Sequence, residues 1–175
     1  PQMLSHLPVP AIGVVEPAAH AAIDATRSGR IGILGTAATI RSGSFRKYML
    51  AARPELQVFS QACSLFVPLV EAGWIERDNE ATIAAARRYL QPFIEQQVDT
   101  VILGCTHFPL LAPILSDILG EDVVLIDSGE ACASRCAGEL EKSGLLNRTK
   151  KAGECRFYVS DRPEDFTHVA RMFLG

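Results

Sequence analysis

Long apolar runs, dense basic runs and a paired set of cysteines are all missing from this sequence of 175 residues. No run approaches the roughly 20 uninterrupted apolar residues of a membrane-spanning helix. The first residues, PQMLSHLPVP, have neither the basic flank nor the apolar stretch of a secretory signal. We therefore expect a cytoplasmic protein without a membrane-embedded segment.

The charge and the cysteines exclude two further classes of protein. The formal net charge is -3 and no dense Lys/Arg run is present, which argues against a nucleic-acid-binding surface. The cysteines number five and are widely scattered in a chain large enough to form its own core, so a disulfide framework is not expected. We expect reduced thiols and a small-molecule partner.

Short apolar runs alternate along the chain with longer segments of helical spacing. The predicted strands are residues 11–15, 31–35, 56–60, 100–104, 123–126 and 156–160. The predicted helices are residues 17–28, 44–52, 79–97, 109–119, 129–143 and 163–173. Strands rich in Val, Ile and Leu that alternate with helices are typical of a parallel sheet with helices on both faces, so the predicted fold class is α/β.

Polar and thiol-bearing residues follow most of these predicted strands. In open α/β sheets, ligands bind beyond the carboxyl ends of the strands. We therefore expect a functional site at this edge of the sheet, among Glu16 and residues 36–39, 61–64, 105–107, 127–128 and 160–161.

Cys105 and His107 stand in the stretch GCTHFP, after a predicted strand and ahead of a predicted helix. The N-terminus of a helix favours a thiolate, and His107 is close enough in sequence to assist it. The pair suits nucleophilic attack, acid–base chemistry or metal ligation. A buried core cysteine beside a turn histidine explains the same spacing equally well.

Thr36 and Thr39 follow another predicted strand, in the stretch GTAATIRSGSF. Gly35 lets the chain turn closely, and two hydroxyls beside a helix start would hold a carboxylate or phosphate. The stretch has neither the Gly-Lys-Ser/Thr of a Walker loop nor the G-x-G-x-x-G dinucleotide pattern, so a small anion is favoured. A Thr-rich strand-to-helix turn without a ligand fits as well.

Glu71 and one pair of cysteines are weaker candidates. Glu71 follows the apolar run of ACSLFVPLVEAG, which permits a desolvated carboxylate, although an exposed helix glutamate is commoner. Cys132 and Cys136 of CASRC fit one face of a helix, but a structural metal site needs four ligands and the sequence has no second pair. No metal site is predicted.

Six stretches of the sequence occur in the order found in one known family. They are VPAIGVVEPAA, GRIGILGTAATIRSGSF, ACSLFVPLVEAG, DTVILGCTHFPLL, LIDSGE and FYVSDRPEDF, and they span nearly the whole chain. In these stretches the sequence resembles the bacterial glutamate racemases of the aspartate/glutamate racemase superfamily. LGCTHFPLL together with GTAAT and FVPLVE is specific to that family, whereas GCTH alone also fits aspartate and hydantoin racemases.

The resemblance implies a cofactor-independent interconversion of L- and D-glutamate that supplies D-glutamate for peptidoglycan. One thiolate removes the Cα proton, and a thiol on the opposite face of the substrate returns one. The resemblance also implies two pseudo-symmetric, flavodoxin-like α/β domains and a homodimer as the common assembly. The implied site residues are Cys105 as the second catalytic cysteine, His107 and Glu71 as groups that assist its thiol, and Thr36, Thr39, Thr106 and His107 as contacts to the substrate.

Two departures from the family affect what the resemblance implies. Family members carry a DSGxGG-like segment and an ACNTA-like segment with the first catalytic cysteine, and neither is in this sequence. Ser64 stands where the family usually has proline. The expected organisation is a remnant of a first domain in residues 1–12, a complete domain in residues 13–133, and a strand and helices in residues 134–175 that return to the first domain.

Three expectations follow, and two alternatives stay open. We expect that the chain alone does not racemise glutamate, that apolar residues of its flanks are exposed, and that it therefore associates or dissolves poorly. Another racemase of the superfamily, specific for aspartate or a hydantoin, is the first alternative. The second is a non-catalytic α/β module that binds a small dicarboxylate.

Overall fold

The computed structural model describes residues 10–149, 153–160 and 163–174. Within these ranges there are eight α-helices and four strands, with one or two helices between successive strands and one 3₁₀ turn at Phe108–Leu111. The strands are β1 (Arg30–Gly35), β2 (Gln57–Ala62), β3 (Thr100–Leu103) and β4 (Val124–Asp127). The helices are α1 (Val15–Ala25), α2 (Ala37–Ser42), α3 (Ser44–Ala52), α4 (Phe66–Glu71), α5 (Glu80–Glu95), α6 (Ala112–Leu119), α7 (Ser128–Lys142) and α8 (Pro163–Leu174).

The four strands form one parallel sheet in the order β2-β1-β3-β4. This order begins in the same way as the flavodoxin-like order 2-1-3-4-5. The predicted α/β class and parallel sheet are therefore confirmed. Because the chain moves outward from β1 to β2 and then crosses to β3 on the other side, the strand order reverses between β1 and β3.

Both faces of the sheet are covered by helices. Ile31 and Ile33 of β1 point to a core shared with α1 and α3, while Leu34 and Leu103 point to a core shared with α4, α5 and α6. All four side chains are almost fully buried, as expected for strands that are covered on both faces. The two cores fix the positions of the strand ends on which the candidate site stands.

The opposite edge of the sheet is held by Asp99, just before β3. Its carboxylate accepts hydrogen bonds from Thr26 Oγ1 at 2.6 Å and from the backbone amides of Arg27 and Ser28 at 2.8 and 2.7 Å. Burial opposes ionisation of this carboxyl, but the hydrogen bonds outweigh it and lower the pKa of Asp99 from 3.8 to about 2. The turn between α1 and β1 is thereby fixed to the start of β3.

Two predicted strands are wrong. Residues 10–13 are irregular and Val15 is the first residue of α1, and residues 153–160 form no strand. Both segments have strand-like composition, but a strand requires a neighbour that accepts its backbone hydrogen bonds. Neither segment pairs with the sheet, whose described strands are β1 to β4 alone.

Two short helices, α2 and α4, were not predicted, although α2 has clear end signals. The Thr36 side chain caps its first turn by accepting a hydrogen bond from the Thr39 amide, and the helix ends at Gly43, whose φ of 61° lies in the left-handed region. Each helix has only six residues, which is too short for a helical periodicity to be recognised.

The carboxyl-terminal part of the chain exposes apolar side chains, as expected. The exposed side chains of this part include Leu140, Phe157, Val159, Phe166 and Phe173. Ile12 is instead half-buried, and the Leu174 side chain lies outside the described residues. Among the residues that the structure describes, no helix combines the length and apolar character that crossing a membrane requires.

Candidate active site

The candidate site lies where β1 and β3 end side by side. Leu34 pairs with Leu103 in the register of the two strands, and the Gly104 amide donates to the Leu34 carbonyl at 2.8 Å. A Cβ at Gly104 would stand 2.8 Å from that carbonyl oxygen and 3.6 Å from Thr39 Cγ2. The absence of a side chain at Gly104 therefore lets the two strand ends approach closely, at the point where ligands bind in open α/β sheets.

Cys105 follows directly and is half-buried. Its Sγ atom lies 3.9 Å from Nδ1 of His107, and Thr106 Oγ1 lies 3.3 Å from the same nitrogen. The thiol and the hydroxyl therefore both face one imidazole nitrogen. A proton on Nδ1 can be donated to the sulfur, and an unprotonated Nδ1 can accept one from it.

Glu71 contacts the other side of the same ring. Its Oε1 lies 3.4 Å from His107 Nε2, and its side chain is 53% exposed, compared with 20% for His107. The carboxylate is therefore a partly solvated group at the end of α4, as is common for a glutamate on a helix surface. Its oxygen is placed to face an N–H at Nε2.

Thr36 and Thr39 stand across from Cys105, at the end of β1. Their Oγ1 atoms are 3.0 Å apart, and the Thr39 amide donates to Thr36 Oγ1 at 3.2 Å. Both side chains are partly buried. The bond between the two hydroxyls uses one of their two hydrogens, so the other is available to an acceptor such as a carboxylate.

Phe173 of α8 also reaches the site, which local sequence patterns did not indicate. Its ring packs edge-to-face on the His107 ring, with the centroids 5.7 Å apart. The helix itself was predicted, but the contact joins residues far apart in the chain. No local spacing predicts such a contact.

The other thiols differ from Cys105 in their surroundings. Cys63 is fully buried, and burial raises the pKa of its thiol from 9.0 to about 12, so it stays protonated at neutral pH. Cys132 and Cys136 lie together on α7. Burial is the main cause that raises the pKa of Cys132, and the neighbouring Cys136 thiol raises it further. Within the described ranges, no group of three or more His, Cys, Asp or Glu side chains is arranged to hold a metal ion.

Comparison with known proteins gives consistent matches. A glutamate racemase of Geobacter metallireducens is 45% identical over 169 residues, which are 97% of this chain and 62% of that relative. A glutamate racemase isoform of Bacillus anthracis has a TM-score of 0.91 at 34% identity, covering 99% of this chain and 64% of that one. The Francisella tularensis glutamate racemase, solved in complex with D-glutamate, has a TM-score of 0.85 at 32% identity. The match covers 95% of this chain and 60% of that one.

The chain spans less than two thirds of the length of each of these proteins. Their names agree with the resemblance drawn from the sequence motifs, which is thereby confirmed. The sequence model of Asp/Glu/Hydantoin racemase matches residues 1–136, and the chain therefore belongs to this family of racemases.

Proposed function

We propose that this chain supplies one side of a glutamate racemase active site, with Cys105 as one of two thiols that exchange a proton with the substrate Cα. The observation that carries the proposal is the series of contacts from Cys105 Sγ through His107 to Glu71 at the edge between β1 and β3. The relatives named glutamate racemase, one of them solved with D-glutamate, support the choice of substrate.

The chemistry requires a base on one face of Cα and an acid on the other. The Cys105 thiolate takes the Cα proton, so that the C–H bond breaks, an S–H bond forms, and the electron pair is delocalised into the substrate carboxylate. A second thiol then donates its proton to the opposite face, which inverts the centre. In the reverse reaction the two sulfurs exchange roles, and no cofactor, oxidant or reductant is consumed.

His107 and Glu71 would support the thiolate form of Cys105. A protonated His107 ring, 3.9 Å from Sγ, would stabilise a negative sulfur electrostatically, and the Glu71 carboxylate would stabilise that ring from the other side. Because the site is partly open to water, each of these effects is moderate.

Thr36, Thr39 and Thr106 would bind the polar groups of glutamate. Hydroxyl hydrogens at the end of β1 suit the oxygens of a carboxylate, while the Thr106 hydroxyl next to His107 suits a second polar group. This arrangement would hold Cα near the Cys105 sulfur.

The opposing thiol would come from a first domain that packs on residues 1–12 and 134–175, with residues 13–133 as the domain that carries Cys105. Cys63 is unsuited to the role, because it is buried and its pKa is about 12. We therefore propose that the 175-residue chain does not racemise glutamate alone.

A chiral assay of D-glutamate formation from L-glutamate tests this proposal on the purified chain. We expect no turnover above the uncatalysed rate. Turnover that disappears in the Cys105→Ser variant would show that the chain contains both catalytic groups, contrary to the proposal.

A racemase specific for aspartate or a hydantoin is the second candidate, since the family model includes both. For the protein in its full length, we expect kcat/KM for L-glutamate to exceed that for L-aspartate by about 100-fold or more, since a carboxylate pocket of the wrong depth leaves polar groups unpaired. A non-catalytic module would instead bind glutamate equally well after alkylation of Cys105, whereas a racemase site would lose binding.

The cellular role that fits this activity is the supply of D-glutamate for peptidoglycan. A reducing compartment such as the cytoplasm would keep the catalytic thiols free. A homodimer of the full-length protein is the assembly we propose, and sedimentation velocity of that protein tests it.

A further inference from the structure

Three aromatic side chains connect α5, α4 and the segment after His107. The Phe66 ring packs edge-to-face on Tyr89, with centroids 5.2 Å apart, and on Phe108, with centroids 5.1 Å apart. Phe66 and Phe108 are fully buried, whereas Tyr89 is partly buried. Edge-to-face pairs of this kind fix both the distance and the relative orientation of the rings.

Helix α4, which carries Glu71 as its last residue, depends on this contact. It has six residues and no side-chain cap at its start, so it has little stability of its own. The Tyr89 hydroxyl accepts a hydrogen bond from the Leu65 amide at 3.3 Å, immediately before the helix begins. Tyr89 therefore satisfies one of the amides that a short, uncapped helix leaves without a partner.

Helix α5 provides a rigid base for Tyr89. It has sixteen residues, its first turn is capped by Asn79, and Ala86, Leu90 and Phe93 are buried against the sheet. A position fixed to α5 is therefore fixed to the sheet itself.

Phe108 fixes the other side of the contact between Glu71 and His107. It follows His107 directly, and its amide donates to the Cys105 carbonyl at 3.1 Å, which closes the turn that contains both residues. The Phe66–Phe108 contact consequently sets how far α4 lies from this turn. That distance determines whether Glu71 Oε1 reaches His107 Nε2, which it does at 3.4 Å.

We propose that Tyr89 is a positioning residue of the active site, which holds α4 so that Glu71 stays paired with His107 and thereby keeps Cys105 reactive. The inference rests on the proposed function for the meaning of that reactivity. Tyr89 touches no reacting atom, and it acts through Phe66, Leu65 and α4.

The test is the rate at which iodoacetamide alkylates Cys105 in the purified 175-residue chain, followed by mass spectrometry of the peptide that contains it. Glu71→Gln should slow this reaction about fivefold at pH 7, because the His107 ring that faces the sulfur loses its negatively charged partner. Tyr89→Phe keeps the ring and removes the hydroxyl, and it should slow the reaction about twofold to threefold.

A double-mutant cycle separates positioning from a general loss of stability. If Tyr89 acts through Glu71, the Tyr89→Phe/Glu71→Gln variant should react at the rate of Glu71→Gln alone. The matched control is Tyr48→Phe, whose hydroxyl lies 2.8 Å from His20 Nε2 among the helices on the other face of the sheet, and which should leave the Cys105 rate unchanged.

Several results would overturn the inference. One is an alkylation rate that does not change in Tyr89→Phe or in Glu71→Gln. Another is that adding Tyr89→Phe to Glu71→Gln slows alkylation by as much as Tyr89→Phe does alone. A third is that Tyr48→Phe slows alkylation as much as Tyr89→Phe does. The proposed function fails by a different measurement, namely D-glutamate formation that persists in the full-length protein after Cys105 is replaced. The two failures are therefore distinguishable.

Discussion

Nε2 of His107 lies 3.4 Å from Oε1 of Glu71, although α5 and β3 separate the two residues along the chain. The other ring nitrogen faces the Cys105 sulfur at 3.9 Å. The imidazole thus stands between a carboxylate and a thiol. A change at the carboxylate is therefore expected to alter, through the ring, the reactivity of the sulfur.

The first prediction concerns Glu71→Gln in the full-length protein. The variant keeps the shape of the side chain and removes its charge, so kcat/KM for L-glutamate should fall about 10- to 100-fold. Glu76→Gln is the matched control, because Glu76 is an exposed glutamate in the loop after α4 and should change kcat/KM less than about twofold. Full activity of Glu71→Gln would exclude a role for this carboxylate.

The second prediction concerns the close approach of β1 and β3. In Gly104→Ala, the new methyl group would meet the Leu34 carbonyl at 2.8 Å and the Phe45 ring at 3.3 Å. Because that carbonyl is fixed in the sheet, the free energy of unfolding should fall by about 1–3 kcal/mol, as measured by urea denaturation.

Gly138→Ala is the control for this glycine. Gly138 lies within α7 and has no neighbouring atom within 4 Å of the position of an added Cβ. Alanine is the better helix former, so this variant should gain about 0.5–1 kcal/mol. Equal stability of Gly104→Ala and the unchanged protein would mean that the strand ends are farther apart than described.

The third prediction concerns the pH dependence of stability at Asp99. The pKa of this carboxyl is lowered from 3.8 to about 2 in the folded protein, so its contribution to stability is present above about pH 4 and is lost as the pH falls toward 2. Asp99→Asn should lower the free energy of unfolding by about 1–2 kcal/mol at pH 7, after allowance for solvent screening.

Urea denaturation between pH 7 and pH 2 measures this effect. The difference between Asp99→Asn and the unchanged chain should shrink as the pH falls from 4 to 2. Asp24→Asn, at an exposed position of α1, should show no such trend. A difference for Asp99→Asn that does not vary with pH would argue against ionisation as its cause.

The fourth prediction concerns the exposed apolar residues of the carboxyl-terminal part. Phe157 and Tyr158 are 62% and 86% exposed, and apolar surface of this kind promotes association. The 175-residue chain should form larger species as its concentration rises, as measured by sedimentation velocity. A Phe157→Ser/Tyr158→Ser variant should associate less. The control Trp74→Ser changes an exposed aromatic residue of the loop after α4 and should associate as much as the unchanged chain. A single monomeric species at high concentration would contradict the prediction.

The sequence predicted the sheet well because its inner strands carry a strong local signal. Ile31, Ile33 and Leu34 are apolar on both faces of β1, and such runs between helices have few other structural solutions. Residues 156–160 show the limit of this signal. Their composition suits a strand, but whether a strand forms depends on a partner that the local sequence does not specify.

The candidate site was predictable to a similar extent. Cys105, His107 and Thr36 follow strand ends, so the position of each at the carboxyl edge follows from the order of elements. The contacts of Glu71 and Phe173 with the His107 ring cannot be predicted from the order of elements, because they depend on how α4 and α8 pack across the site. The apolar run before Glu71 made it a weaker candidate and the family motifs placed it near the thiol, whereas no local pattern indicated the contact of Phe173.

The central claim is that Cys105 exchanges a proton with Cα of glutamate, and D-glutamate formation by the full-length protein tests it most directly. Cys105→Ala should reduce kcat for L-glutamate by about 1,000-fold or more, because the proposed base that removes the Cα proton is lost. Cys132→Ala, on α7, should leave kcat nearly unchanged. Normal racemisation by Cys105→Ala would contradict the account.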